Sequence, residues 1–472
     1  MDLLSLRAAS GAGTIDGIPA PALVAAGFTL LQRSPVLVRA LAGRRAAILL
    51  PTSPQFLVAL AAADGRGAVL VNPLAAPAEV AAQLQDAGVG AVLTVAALVD
   101  RLPPGTVHAL LDEAPAHATV VAADGTTGRV DLGSHFGLDL EGDETAEGRD
   151  EECAVVYTSA MAGRPLGAIL THRNLITNAR QAVQAAQFRT EDRVLAVLPF
   201  SHLFGLTVSG IAPLLMGASV RTMPRFNPIA AVDRLVTEEI SVIVGVPAIF
   251  AALLTAIGRR GGVSAPALRL CICGGAPLDP ALQDRWAEAT GVELRQGYGL
   301  TEASPVALFN RLPDPNRRGT LGLPFPGVDV GIHDPSTGAP LPDGTEGEIC
   351  VRGATVFRGY VSGGAGGLQV RDGWLHTGDL GVRRADGTVV FRGLRKPMFT
   401  RNGFNVYPAE VERVLGALPG VRTVRVHGVP DAASEHEVAA EVAGDVTEAQ
   451  VKAWAEAHLA AYKRPTRIAV RA

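Results

Sequence analysis

A loop that begins at Tyr157 has the glycine and proline spacing of a phosphate-binding loop but not its side chains. It continues with Thr158, Ser159, Ala160, Met161, Ala162, Gly163, Arg164, Pro165, Leu166 and Gly167. Phosphate loops hold charged oxygens with backbone amides, hydroxyl groups and a lysine. Alanine, methionine and leucine side chains offer neither a donor nor a charge, so we predict that this loop no longer holds a triphosphate.

Six further segments follow the loop in a fixed order. They are 198–205, which contains His202, then 274–277, 296–302, 374–379, 393–396 and 402–412. One short match would be weak evidence, but an ordered set over most of a chain is specific. On these segments, residues 45 to 470 resemble the adenylate-forming (ANL) superfamily, which includes acyl-CoA ligases, firefly luciferase and nonribosomal adenylation domains.

The resemblance implies a site for an acyl-adenylate. Its residues would be Gly275, Ala276, Pro277, Gly297, Tyr298, Gly299, Thr301, Glu302 and Asp379. Small residues at 275–277 would let adenine approach the backbone, with Tyr298 over its other face. Thr301 would donate to the α-phosphate, Asp379 would accept both ribose hydroxyls, and Glu302 would hold Mg²⁺. Taken alone, the glycines could form a turn and Glu302 could cap a helix.

The resemblance also implies a path for a thiol. His202 would be the gate between the acyl pocket and the pantetheine tunnel, and Gly403 would let the pantetheine arm of coenzyme A slide past. Lys396 would be the hinge about which a small domain rotates. The alternatives are a buried structural histidine and an ordinary surface lysine beside Pro397.

Three departures from the family pattern all concern ATP. The loop is the first, and the second is Leu394, where the family usually has an arginine that reaches the nucleotide. The third is the motif with the catalytic lysine, expected after Tyr462-Lys-Arg-Pro and not found before Ala472. No lysine precedes Lys396. Losing one charge aimed at the reacting phosphate costs about 3 kcal/mol, although such effects do not add.

We therefore predict an acyl-CoA ligase-type enzyme that performs only thioesterification, in which coenzyme A displaces AMP from a preformed acyl-adenylate. A separate adenylating ligase would supply this substrate, and a Mg²⁺ ion held by Glu302 would not be essential. The pattern is similar to non-adenylating acyl-CoA ligases of bacterial antibiotic biosynthesis, which implies a diterpenoid carboxylate. The alternatives are a complete ATP-dependent ligase that uses Arg164, a noncatalytic protein that binds an acyl-adenylate or acid, and transfer to a carrier-protein thiol.

Composition limits the partners. The chain has 472 residues, of which 19% are charged, and a net charge of −4. This balance argues against a disordered chain or a surface for nucleic acid. Its apolar runs are too short for a bilayer and a secretory signal is lacking, so we predict a cytoplasmic protein with no membrane partner. The cysteines lack zinc-motif spacing and are predicted to be reduced core thiols: Cys153, Cys271, Cys273 and Cys350.

Alternating short apolar runs and longer helical patterns predict an α/β fold. We expect a large, multi-layered N-terminal domain of the acyl-CoA synthetase type at 1–395 and a small, mobile α+β domain at 396–472. The predicted strands are 45–51, 67–73, 194–198, 241–244 and 421–426. The predicted helices are 54–63, 77–87, one from 408 and 447–458, and the predicted loops are 123–151 and 363–367.

Overall fold

The computed structural model describes residues 13–133, 150–158, 165–363, 367–395, 398–431 and 434–471. The α-helices are α1 (Ala20–Arg33), α2 (Pro35–Ala40), α3 (Gln55–Ala62), α4 (Pro77–Asp86), α5 (His172–Ala186), α6 (Ala212–Leu215), α7 (Pro228–Thr237), α8 (Pro247–Arg260), α9 (Pro280–Thr290), α10 (Pro408–Gly416) and α11 (Glu448–His458). A π-helix spans Phe204–Ile211, and 3₁₀ turns span Ala96–Arg101, Thr301–Ala303 and Ala461–Lys463.

The strands are β1 (Thr14–Ile15), β2 (Ile18–Pro19), β3 (Arg45–Ile48), β4 (Ala68–Leu70), β5 (Val89–Thr94), β6 (His108–Leu110), β7 (His117–Val121), β8 (Thr127–Asp131), β9 (Glu152–Thr158), β10 (Leu166–Thr171), β11 (Arg193–Ala196), β12 (Ser219–Thr222), β13 (Val242–Gly245), β14 (Leu270–Cys273), β15 (Leu294–Gly299), β16 (Val306–Phe309), β17 (Leu323–Pro324), β18 (Asp329–His333), β19 (Glu346–Arg352), β20 (Gly359–Tyr360), β21 (Gln369–Arg371), β22 (Trp374–Arg383), β23 (Val389–Leu394), β24 (Phe399–Arg401), β25 (Phe404–Val406), β26 (Val421–Asp431), β27 (Glu435–Gly444) and β28 (Arg467–Arg471).

Two nine-stranded sheets form the framework of the large domain. The first has the order β17-β16-β15-β14-β13-β11-β12-β1-β2, and the second has the order β20-β10-β9-β4-β3-β5-β6-β7-β8. The strands from β15 to β1 and from β9 to β6 run parallel. Parallel strands are covered on both faces and read as continuous apolar runs; every residue of β13 is buried. The predicted α/β layering is confirmed.

An apolar core joins the two sheets through α3. All residues of α3 after Gln55 are buried, as expected of a helix that is apolar on every face. Phe56 of this helix packs edge-on against Phe200, with ring centroids 5.7 Å apart. That contact fixes the segment that carries His202. All four cysteines are buried, as predicted.

A third sheet lies after the two large ones and was not predicted. It has the order β18-β19-β22-β21, with β23 on the other side of β22, and its pairings are antiparallel. Asp379 lies on β22 and Leu394 on β23. The predicted loop 123–151 was also wrong in part, because Thr127–Asp131 pairs with β7 as an edge strand.

The small domain contains the β24–β25 hairpin, α10, α11 and a sheet of β26, β27 and β28. Both predicted helices are present, and the strand predicted at 421–426 extends to Asp431 because it pairs along its length with β27. Lys396 and Pro397, the predicted hinge, lie outside the described residues. Nowhere in the described ranges is a helix both long and apolar enough to cross a membrane.

Candidate active site

One cavity of about 610 Å³ contains most of the predicted site. Its lining includes His202, Gly275, Ala276, Pro277, Gly297, Tyr298, Gly299, Thr301, Glu302, Asp379 and Gly403. Leu166 also lines it. Ser159, Ala160, Met161, Ala162 and Gly163 lie outside the described residues. Segments far apart in the sequence therefore converge on a single space.

His202 lies between β11 and the π-helix. Its side chain is exposed to the cavity. Desolvation by the surrounding protein lowers the pKa of the imidazole, which is therefore neutral near pH 7. The backbone N–H of Phe204 donates to Nδ1 at 3.2 Å. Because Nδ1 accepts, the proton of the neutral ring is assigned to Nε2. His202 is therefore a hydrogen-bond donor rather than a base.

Tyr298 connects the first sheet to the third. Its hydroxyl donates to Oδ2 of Asp379 at 2.7 Å. This hydrogen bond occupies one of the two carboxylate oxygens. Burial raises the pKa of Asp379 to about 6, although the Tyr298 hydrogen bond opposes this shift. The Asp379 carboxylate is thus mostly charged at neutral pH and mostly protonated below pH 5.

Glu302 lies in the 3₁₀ turn directly after β15. Its side chain is buried, and the hydroxyl of Tyr360 donates to Oε1 at 2.7 Å. Burial raises the Glu302 pKa above its ordinary value. Among the described residues, no group of three or more metal-ligating side chains includes Glu302. A magnesium ion held by Glu302 would therefore depend on phosphate oxygens for its other ligands.

Two positions at which the sequence departs from the ATP-binding pattern, Leu166 and Leu394, lie on the cavity wall. Leu166 begins β10, is 4% exposed and pairs with Thr158. Leu394 pairs directly with Asp379 across β22 and β23 and also lines the cavity. Of the described lining residues, the lysines and arginines are Arg225 and Lys463. Within the described part of the lining, these two side chains are the positive charges that a polyphosphate would meet.

The tip of the β24–β25 hairpin enters this cavity from the small domain. Asn402 and Gly403 have φ angles of 51° and 77°, which are typical of a type I′ turn and explain the Asn-Gly sequence. A Cβ atom at Gly403 would lie 2.5 Å from Cγ2 of Val246. Position 403 can therefore lie against the large domain only as glycine.

A buried ion pair holds the two domains together. Lys463 Nζ donates to Oε1 of Glu79, on α4 of the large domain, at 2.8 Å, and to Oε1 of Glu410 at 2.7 Å. The side chains of Lys463 and Glu79 are 7% and 12% exposed. Burial alone lowers the Lys463 pKa, but Tyr462, Glu410 and Glu79 raise it above its ordinary value. The sequence did not reveal this contact, because 384 residues separate its partners.

The family model described as AMP-binding enzyme matches residues 37–361. Feruloyl-CoA synthase from Amycolatopsis sp is 34% identical over 433 residues, covering 90% of this chain and 84% of that protein. 4-Coumarate–CoA ligase 1 from Arabidopsis thaliana is 30% identical over 444 residues, covering 89% of this chain and 78% of that protein. The structure of o-succinylbenzoate CoA synthetase from Bacillus subtilis has the same fold, with a TM-score of 0.81 at 23% identity over 100% of this chain and 94% of that one.

The fold and the cavity define an enzyme of the acyl-CoA synthetase type. The chain belongs to the family of AMP-binding enzymes and, within it, to the acyl-CoA ligases. This confirms the predicted superfamily, in which acyl-CoA ligases use coenzyme A and ATP and form AMP-linked acyl intermediates.

Proposed function

We propose that this acyl-CoA ligase performs only thioesterification, converting a preformed acyl-adenylate and coenzyme A into acyl-CoA and AMP. The observation that carries the proposal is the phosphate loop, whose donor positions hold Ala160, Met161, Ala162 and Leu166. Leu166 is buried in the cavity wall. The relatives are named as synthases and ligases, so a complete ATP-dependent ligase is the rival function.

The charge of the cavity supports the proposal. Glu302 and Asp379 place two carboxylates beside the nucleotide segments. The described lining contains two cations, Arg225 and Lys463. Lys463 already binds two glutamates, so Arg225 remains to bind a phosphate. The β- and γ-phosphates of ATP need positive charge and donors. An acyl-adenylate carries a single phosphate charge and needs fewer of them.

The position of the small domain supports it as well. The Gly403 tip lies in the cavity, where a pantetheine thiol would have to arrive, and the buried Lys463–Glu79 contact stabilises this arrangement. Arg401 of the same hairpin donates to the backbone carbonyl of Arg464 at 2.9 Å. The hairpin is thus braced against the segment that carries Lys463.

The proposed chemistry needs orientation more than acid–base groups. The thiol sulfur attacks the acyl carbonyl carbon and forms the C–S bond. The bond from that carbon to the phosphate oxygen breaks, AMP leaves with the electron pair, and the thiol proton passes to water. Holding thiol and anhydride together can supply most of the rate. The Nε2–H of His202 would donate to the carbonyl oxygen as negative charge develops there.

The acyl group would lie against apolar walls. Phe204, Val208, Phe309, Leu321 and Phe325 line the cavity without offering a charge. We propose a bulky diterpenoid carboxylate, on the resemblance to the non-adenylating ligase of platensimycin and platencin biosynthesis. A hydroxycinnamate is the competing acyl group, because feruloyl-CoA synthase is among the relatives.

Two assays with coenzyme A test the proposal. One supplies a synthetic acyl-adenylate, diterpenoid or hydroxycinnamoyl, and measures thioester; the other supplies free acid, ATP and Mg²⁺ and measures pyrophosphate. We expect thioester from the adenylate and no pyrophosphate from ATP, with the Amycolatopsis feruloyl-CoA synthase as control for both steps. Pyrophosphate release would establish the rival ligase. No thioester in either assay would leave a binding protein, unless a carrier-protein thiol replaces coenzyme A as acceptor.

A further inference from the structure

Three strands of the third sheet bring two histidines and a cysteine together. His333 ends β18, Cys350 lies on β19 and His376 lies on β22. One donor atom from each of these side chains lies within 4.8 Å of the other two. None of the three lines the cavity described above. The cluster is therefore separate from the candidate active site.

The strand register explains why these side chains meet. Cys350 pairs with His376 on one side and with Gly331 on the other. His333 follows Gly331 by two residues and so shares its face of the sheet. Because Gly331 has no side chain, the His333 ring extends over it; a Cβ there would lie 2.7 Å from His333 Nε2. Cys350 is thus flanked by both imidazoles.

The hydrogen bonds of His333 orient it as a ligand. Its Nδ1 lies 2.9 Å from the carbonyl oxygen of Gly338, so Nδ1 carries the proton and Nε2 has a free lone pair. Metal-binding histidines commonly donate their other ring N–H to a backbone carbonyl in this way. Trp374 packs on the ring with centroids 4.9 Å apart and closes one side of the cluster.

The distance between Cys350 and His376 matches the spacing of ligands around zinc. His376 Nδ1 lies 3.4 Å from Cys350 Sγ and 3.1 Å from Glu348 Oε2. Zn–N and Zn–S bonds of about 2.0 and 2.3 Å in a tetrahedron place neighbouring ligand atoms about 3.3–3.6 Å apart. Cys350 and His333 are 0% and 4% exposed, so an ion here would be shielded from solvent.

We propose that this cluster binds a zinc ion. Cys350 Sγ, His333 Nε2 and His376 Nδ1 are its three protein ligands. The Glu348 carboxylate stays outside the ligand set, because it pairs with Arg395 at 3.1 Å and accepts the backbone N–H of Gly378 at 2.9 Å. The thiol proton of Cys350 is released on binding, and mixed sulfur and imidazole donors favour zinc over magnesium or calcium. Asp379 follows His376 by three residues on β22, so the ion would fix the strand that carries the proposed ribose ligand.

Metal binding to the full-length, reduced apoprotein tests the site. Zinc titration by calorimetry should give one ion per chain, and Cys350→Ser and His333→Val should each weaken binding at least 100-fold. Cys271→Ser, at a buried thiol of the first sheet, is the matched control and should bind zinc as the wild type does. Cobalt in place of zinc should give a thiolate-to-metal charge-transfer band in the wild type and in Cys271→Ser but not in Cys350→Ser.

Two results would overturn the zinc site. One is a folded wild type, checked by circular dichroism, that binds no zinc; the cluster would then be hydrogen-bonded core packing. The other is equal zinc affinity in the wild type and Cys350→Ser. Neither readout uses thioester formation, so the site is tested independently of the proposed reaction.

Discussion

Glu79→Gln should loosen the contact between the domains without removing a fold element. Glu79 Oε2 accepts the N–H of Ala76 at 2.8 Å, a helix-capping bond that the glutamine oxygen can keep. Its Oε1 accepts from Lys463, and the glutamine amide would place a donor there instead. The change thus removes one ion pair and leaves the N-terminus of α4 intact.

The size of the effect follows from the burial of the pair. Losing a hydrogen bond to a buried charge costs about 1.5–3 kcal/mol. Lys463 retains its hydrogen bond to Glu410 at 2.7 Å. We therefore expect the lost interaction energy to be about 2 kcal/mol, below the range for a buried charge left without any partner. We expect rotated arrangements of the small domain to lose the Glu79 contact, which the structure shows in the arrangement with Gly403 in the cavity. Its population relative to rotated arrangements should therefore fall about 30-fold.

The assay is thioester formation from acyl-adenylate at subsaturating coenzyme A. Its rate should fall about 10- to 30-fold, and small-angle scattering should show a larger radius of gyration. Glu288→Gln, an exposed change on α9, is the matched control and should alter neither. Wild-type rate and scattering in Glu79→Gln would refute the idea that this ion pair holds the small domain in place.

Three further predictions concern the cavity. Gly403→Ala should reduce thioester formation at least 100-fold, because its Cβ would lie 2.5 Å from Val246, whereas Gly416→Ala on α10 meets no neighbour and should be silent. The affinity for adenosine, measured by calorimetry, should fall about 10-fold from pH 7 to pH 5, because Asp379 with its pKa of about 6 takes up a proton. Asp379→Asn should bind adenosine weakly and without this pH dependence. Restoring phosphate-loop chemistry at 160–166 should recover measurable pyrophosphate exchange, through Ala160→Gly, Met161→Thr, Ala162→Thr and Leu166→Lys together.

Each of these predictions has a contrary outcome. An active Gly403→Ala enzyme would mean that the hairpin tip is not in the cavity during thioester formation. A flat adenosine affinity between pH 5 and pH 7 would remove Asp379 from ribose binding. Tight ATP binding by the unaltered loop would contradict its proposed loss of function.

The sequence by itself determined the family and named a set of residues that the structure brings together in one cavity. Ordered motifs carry this information locally: Asn402-Gly403 specifies its own turn, and the apolar run of β13 specifies a strand buried on both faces. The third sheet escaped prediction, as did β8, because short antiparallel strands depend on partners as much as on their own residues.

Only the tertiary structure decided which distant groups meet. It paired Glu79 with Lys463 and placed Tyr360 on Glu302, contacts for which no sequence spacing gives a signal. The cysteine spacing gave no zinc motif, yet strand register sets Cys350 between His333 and His376. Local residue types determine turns, strands and motif order, whereas contacts across the chain exist only after the sheets have paired and the domains have docked.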